Sequence, residues 1–322
     1  MKFILLVCLL TGIAAAGPAS AQNYPTRPVR LVIPFAAGSS SNDIIGRALA
    51  QRLTQILGQQ IVVDNRTGAT GSIGSEFAAK SAPDGYTLLL ATTGAQSIAP
   101  SLGKLGYDVL RDLAPIALVA DVPYMMVVNP MLPATNVPEF IALARAQPGK
   151  LIVASTGVGG TPHLCLELLK ISTKIDVVHS PYKSGAPAIT SVIGGETQAM
   201  FGGVTAFTQQ LKSGRLRAVG TAAPKRLQMF PDTPTFAEQG LKGFEVSSWL
   251  GLMAPAKTST AIIQRLQDAT TQALSDREML TFLAGQGADP ASMGSVRFGE
   301  YLRAEIARWG KVIRDANVKL DE

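Results

Sequence analysis

The sequence predicts an α/β protein with mostly parallel sheets. Three observations carry this. Short β-branched runs alternate with helical stretches over most of the chain, Gly- and hydroxyl-rich turns follow several of those runs, and two amphipathic helices close the sequence. Arg30-Leu31-Val32-Ile33-Pro34 reads as a buried strand. Asn42 or Asp43 can cap the helix that follows, with Ile44, Ile45, Leu49 and Leu53 on one face. Gln60 to Asp64 is a second strand, and Tyr86 to Ala91 a third after the turn Pro83-Asp84-Gly85. Further strands are expected at 116–120, 125–129, 151–154, 176–178, 199–201, 218–221 and 249–254. Helices are expected at 137–146, 162–171, 186–193 and 207–213. Thr260 can cap a helix carrying Ile262, Ile263, Leu266, Ala269 and Ala273, and the last helix repeats Phe298, Tyr301, Leu302, Ile306, Trp309 and Ile313.

The N-terminus reads as an export leader. Lys2 is its basic region, residues 3–16 are apolar or small, and Ala19-Ser20-Ala21 is the small-x-small pattern of a cleavage site, placing processing after Ala21. The apolar run is shorter than the roughly 20 residues a membrane span needs. Cys8 stands too near the start to follow an export segment, so it is not read as a lipidation site. The mature chain, destined for the periplasm, then retains only Cys165 and forms no internal disulfide. The formal charge of +6 is dispersed, and its densest group, Lys212, Arg215, Arg217, Lys225 and Arg226, reads as a solvated face. No basic stripe with interleaved aromatics marks a nucleic-acid module.

Two loops share one design. Pro34-Phe35-Ala36-Ala37-Gly38-Ser39-Ser40-Ser41-Asn42-Asp43 joins a strand to a helix, and so does Ala154-Ser155-Thr156-Gly157-Val158-Gly159-Gly160-Thr161-Pro162-His163. Glycine admits close backbone approach, hydroxyls supply neutral donors, and a helix N-terminus favours an anion. Neither loop holds Lys or Arg, and the second lacks the Gly-Lys-Ser/Thr ending of a phosphate loop. A third polar turn, Thr92-Thr93-Gly94, also sits at a strand's C-terminal end, where open α/β sheets bind ligands. A metal reading of His163, Cys165 and Glu167 fails on spacing, because residues i and i+2 point to different sides of a helix. No Gly-x-Ser-x-Gly elbow is present, although a Ser–His pair formed only in space, such as Ser155 with a histidine, stays open. Asp43 and Arg47 are read as an exposed ion pair and also, the two not being exclusive, as a pair that fixes the helix behind the first loop.

The motifs Tyr24-Pro25-Thr26-Arg27-Pro28, Val63-Asp64-Asn65-Arg66, Pro83-Asp84-Gly85-Tyr86-Thr87, Ala154-Ser155-Thr156-Gly157, Pro181-Tyr182-Lys183, Pro231-Asp232-Thr233-Pro234-Thr235 and Gly251-Leu252-Met253-Ala254-Pro255 follow one another in this order along the whole mature chain. In order and spacing the chain resembles the Bug family of extracytoplasmic solute receptors, the substrate-binding proteins of tripartite tricarboxylate transporters. The resemblance implies a fold similar to type II periplasmic binding proteins, with one lobe over 22–122 plus 250–322, a second over 123–249, and crossing strands between them. It implies a monomer without a cofactor that holds a small carboxylate and docks on integral-membrane transporter subunits. The shared grip would fall on Phe35, Ala37, Gly38 and Ser39, with Thr156, Gly157 and Thr161 opposite. Ser40, Asp43, Ser155, Gly160 and His163 complete the two loops. A selective wall would come from Thr92, Thr93, Pro181, Tyr182, Gly185, Phe201 and Gly202. Gly202 stands where relatives often carry Asp, which argues against an amino-acid ligand. Competing expectations are a ligand-sensing partner of a two-component kinase, an enzyme, and an interaction module with an empty cleft.

Overall fold

The computed structural model describes residues 24–319 except 36 and 38–40. The expected leader and the loop residues Gly38, Ser39 and Ser40 lie outside the described residues. The chain forms β1 (Val29–Ile33), α1 (Ser41–Leu57), β2 (Ile61–Asn65), α2 (Ser72–Ala79), β3 (Thr87–Thr92), a π-helical segment (Thr93–Ile98), α3 (Ala99–Leu102), α4 (Val109–Asp112) and β4 (Leu113–Val128). There follow α5 (Val137–Ala146), β5 (Ile152–Ser155), α6 (Thr161–Thr173), β6 (Val178–Pro181), α7 (Gly185–Gly194), β7 (Ala199–Gly203), α8 (Val204–Lys212) and β8 (Arg217–Thr221). It closes with β9 (Ser247–Pro255), α9 (Thr260–Leu274), α10 (Arg277–Gly285), β10 (Asp289–Gly294) and α11 (Ser295–Asp315).

Strand β4 belongs to two sheets. Residues 113–123 pair antiparallel with β9, and residues 117–121 also with β10. Residues 124–128 pair antiparallel with β7 and β8. The first sheet runs β2-β1-β3-β9-β4 and the second β4-β7-β5-β6. Within them β1–β3 are mutually parallel, as are β5–β7. Both β3 and β4 run antiparallel to β9, and β7 runs antiparallel to β4. The C-terminal ends of β1–β3 therefore face those of β5–β7 across the crossing. This is the two-lobed α/β architecture expected, with crossing strands in place of a linker, but the sheets are mixed and not mostly parallel: among the described residues five of the nine strand pairings are antiparallel, each made by β4 or β9.

The differences from expectation have local causes. The strands expected at 116–120 and 125–129 are one, because Asp121 and Pro123 continue the ladder opposite Trp249 and Ser247. Pro115 has no N–H to donate to the ladder, and the register shift next to it accommodates this. Ser259, not Thr260, caps α9, its hydroxyl accepting from Ile262 N–H. The helix α2, rich in small residues, and β10, with no β-branched residue, carry little periodic signal in the sequence. Ile44 is exposed while Ile45, Leu49 and Leu53 are buried, narrowing the apolar face of α1.

Helix α11 spans both lobes. Phe298 and Leu302 pack in one core with Trp249, whereas Trp309, Val312 and Ile313 join another with Phe140, Leu164 and Phe201. Among the described residues no helix is long and apolar enough to cross a membrane.

Candidate functional site

The first loop is held from behind by buried polar groups. Asp43, in the first turn of α1, is fully buried. Its Oδ2 accepts from Arg47 Nε at 2.8 Å and its Oδ1 from Asn65 Nδ2 at 2.7 Å. Asn65, the last residue of β2, also donates to the Phe35 carbonyl at 2.8 Å and accepts from Arg47 Nη2 at 2.6 Å. The Asp43–Arg47 pair is exposed only on the arginine side, and it fixes the helix end. The carboxylate sits inside and anchors the loop through Asn65. Phe35 is half-buried and Ala37 exposed at the loop's outer side.

On the opposite lobe, β5, β6 and β7 lie side by side and each runs into a helix. The N-caps of α6, α7 and α8 are Gly160, Ser184 and Gly203, and none gives a side-chain cap to its helix. Elsewhere, Asp108, Asn136, Ser259 and Asp276 cap α4, α5, α9 and α10, while α2, α3 and α11 also lack a side-chain cap; what is particular to this edge is that three such helix starts lie side by side. Uncapped N–H groups at a helix start carry partial positive charge and accept an anion. Glycine opens the approach. Gly157 has φ +121°, and a Cβ there would lie no nearer than 3.8 Å to Tyr182 O; a Cβ at Gly185 would lie 4.0 Å from Thr156 Cγ2. Thr156, Gly157, Tyr182 and Gly185 thus form one rim, with Pro181 exposed beside them. Because space is available at Gly157, Gly157→Ala is expected to lose about 1 kcal/mol of stability for conformational reasons alone. Urea denaturation of the variant measures it.

The second loop rests on two stacked imidazoles. His163 and His179 lie 3.8 Å apart, centroid to centroid, at 7° between planes. Ser155 Oγ and His179 Nε2 are 2.6 Å apart. Gly157 N–H donates to Ser155 Oγ at 3.2 Å, and Gly159 N–H donates to His163 Nδ1 at 3.0 Å. His163 Nδ1 is therefore the unprotonated nitrogen, and Nε2 faces Glu167 Oε1 at 3.6 Å. Burial, reinforced by the His163 ring, lowers the His179 pKa to about 4, so His179 is neutral at pH 7. His163 supports the loop from below. The Ser–His pair left open by the sequence exists, but the carboxylate of this cluster, Glu167, serves His163 and Lys170 and not His179. Among the described residues no group of three or more His, Cys, Asp or Glu could hold a metal. Cys165 is fully buried and burial pushes its thiol pKa up. It is expected to resist thiol reagents in the folded protein and to label on unfolding, as mass spectrometry would show.

The remaining expected residues divide by strand alternation. Thr92 ends β3 buried, with no partner for its hydroxyl among the described residues. Thr93 turns the other way. Its hydroxyl accepts from Trp249 N–H at 2.9 Å and donates to Ser247 O at 3.3 Å, stitching the π-helical segment to β9. The polar turn expected at 92–94 is that segment, held by Gln96, which takes Thr92 N–H at 2.6 Å and donates to Ser75 at 2.8 Å. Phe201 lies in the core with Phe236 and Phe244 rather than on the cleft wall. Gly202 faces the Phe207 ring. Two contributors were missed by sequence reasoning. Tyr124, at the crossing where β4 passes from β9 to β7, has its phenol pKa raised by burial. Asn65 stood at the end of a strand already identified, and its position was the available signal.

Two lobes joined by crossing strands, with uncapped helix N-termini along the facing edge of the second, have the form of a solute-binding protein. The chain belongs to the tripartite tricarboxylate transporter family of receptors, whose model matches residues 45–318. It is 38% identical to the protein BugT of Bordetella pertussis over 96% of this chain and 94% of that one. A Rhodopseudomonas palustris protein solved with adipate superposes with a TM-score of 0.81 at 33% identity, covering 92% of this chain and 99% of that one. MatC of the same species, solved with malate, gives 0.76 at 31%, covering 90% and 100%.

Proposed function

We propose that this chain is a periplasmic receptor that captures a small carboxylate between its lobes, performs no chemistry on it, and delivers it to the membrane subunits of a transporter. The observation that carries this reading is the set of three adjacent uncapped helix N-termini at the ends of β5, β6 and β7. They offer an anion neutral donors, in keeping with two Gly-rich loops without Lys or Arg. The adipate- and malate-bound relatives support the ligand class. We assign one lobe to 22–122 plus 250–322 and the other to 123–249, with α11 reaching from the first onto the second. Phe35, Ala37, Thr92, Thr156, Gly157, Thr161, Tyr182 and Gly185 would contact ligand. Asp43, Ser155 and His163 would hold the loops in shape. The lobes close by hinge motion about β4 and β9. The protein acts as a monomer, released from its leader after Ala21.

A thermal-shift screen of the mature protein against citrate, C4 to C6 dicarboxylates, alkanoates, benzoates and acidic amino acids tests the reading. A ligand at about 100 times its Kd should stabilise the fold by roughly 2.7 kcal/mol. Silence across the panel from folded, ligand-free protein would count against it.

A further inference from the structure

Gly287 belongs to the first lobe, yet the three nearest atoms that a Cβ built on it would meet all belong to the second. They are Val204 Cγ1 at 2.5 Å, Thr205 Cγ2 at 3.3 Å and Met229 Sδ at 3.4 Å. The backbone of one lobe therefore lies against the other with no room for a methyl group. The turn that presents it is fixed. Gly287 follows α10 with φ +60°; its N–H donates to Ala284 O at 2.9 Å, and the Ala288 N–H donates to Leu283 O at 2.9 Å. A helix-ending glycine accounts for the φ but not for the contact with the other lobe. On the far side, Val204 is fully buried and β-branched in the first turn of α8, so it holds one rotamer and does not swing aside. Val204 follows β7 directly, at the strand end that faces the cleft. Motion that narrows the cleft presses Gly287 onto it. A cavity of about 390 Å³ lies beside the contact, lined by Val204, Leu227 and Met229 from one lobe and Leu280, Ala284 and Ala288 from the other. The contact thus stands next to open space and not inside a filled interface.

We propose that Gly287 is a positioning residue that sets the limit of lobe closure: with no side chain there, the lobes approach far enough to enclose a ligand that Gly287 itself does not touch. The inference rests on the receptor reading and its hinge motion. The experiment is calorimetric titration of adipate, malate and hexanoate into wild-type protein, Gly287→Ala, Gly287→Asn, Val204→Ala and the double variant Gly287→Ala/Val204→Ala, each checked for fold by circular dichroism. Asparagine accepts left-handed backbone and carries the same Cβ, so it separates the wedge from backbone strain. A wedge that leaves the closed form populated about one time in ten weakens apparent affinity about tenfold, the loss expected of both glycine variants. Removing Val204 Cγ1 makes room for the new Cβ, so the double variant should bind within about twofold of Val204→Ala. Strain at φ +60° is the same in the double variant and does not account for that recovery. Glycine variants that bind as wild type does, or a double variant as weak as Gly287→Ala, overturn the inference and leave the receptor reading standing. Failure of both glycine variants to fold would make the contact a fixed part of the fold and overturn the inference as well. A wild type that binds none of the three acids removes support from the receptor reading and overturns the inference with it.

Discussion

Asp43→Ala is expected to lower the free energy of unfolding by about 3 kcal/mol, the scale for removing one member of a buried ionic network. The carboxylate is fully buried and accepts from Arg47 and Asn65. Without it, Asn65 loses the group that orients its amide toward the Phe35 carbonyl, 2.8 Å away. The loss therefore reaches the ligand loop as well as the fold. Asp43→Asn preserves shape and an acceptor but no charge, and should cost about half as much. Arg47 is half-exposed, and water replaces part of its bond when the partner is removed. Urea titration gives the stability term, and carboxylate affinity under conditions where both variants are folded gives the loop term. An Asp43→Ala variant within about 0.5 kcal/mol of wild type would show that the network does not hold the loop.

Acid should weaken the second loop through His179. Its pKa falls from about 6.5 in the unfolded chain to about 4 in the folded protein. The causes are burial first, then the His163 ring; Lys170 acts in the same direction and Glu167 opposes it. Between those two values the unfolded state binds more protons, so stability decreases as pH falls. The contribution is complete above about pH 6.5 and gone below about pH 4. The ring is half-buried, and solvent screening reduces the full linkage energy to about 2 kcal/mol. His179→Gln, which keeps a partner for Ser155, should remove that part of the slope while other carboxylate titrations remain. Parallel stability-versus-pH curves for the two proteins would refute the assignment.

The architecture was legible because its signals are local. Strand–helix alternation and turn glycines lie in short windows, and α5 falls at residues 137–146, as its periodicity requires. What escaped depends on distant partners. Nothing in the neighbourhood of His163 shows that His179 will stack on it, nor does Thr93 announce that its hydroxyl will serve Ser247 and Trp249. Adjacent strand residues point to opposite faces, so Phe201 and Gly202 could not both line one wall, nor Thr92 and Thr93 both present hydroxyls to one cleft. The structure places the first of one pair and the second of the other elsewhere, in the Phe236–Phe244 core and against β9.

The position of β9 has a consequence for biosynthesis. It lies between β3 and β4 in the first sheet, although it follows them in sequence by more than a hundred residues. As the chain leaves the ribosome, β1 through β4 have no central strand to assemble around until residues 247–255 appear, and α11 arrives later still. Such non-local pairing is slow to form and cannot be completed early. A half-made chain therefore stays open until its last third has been made.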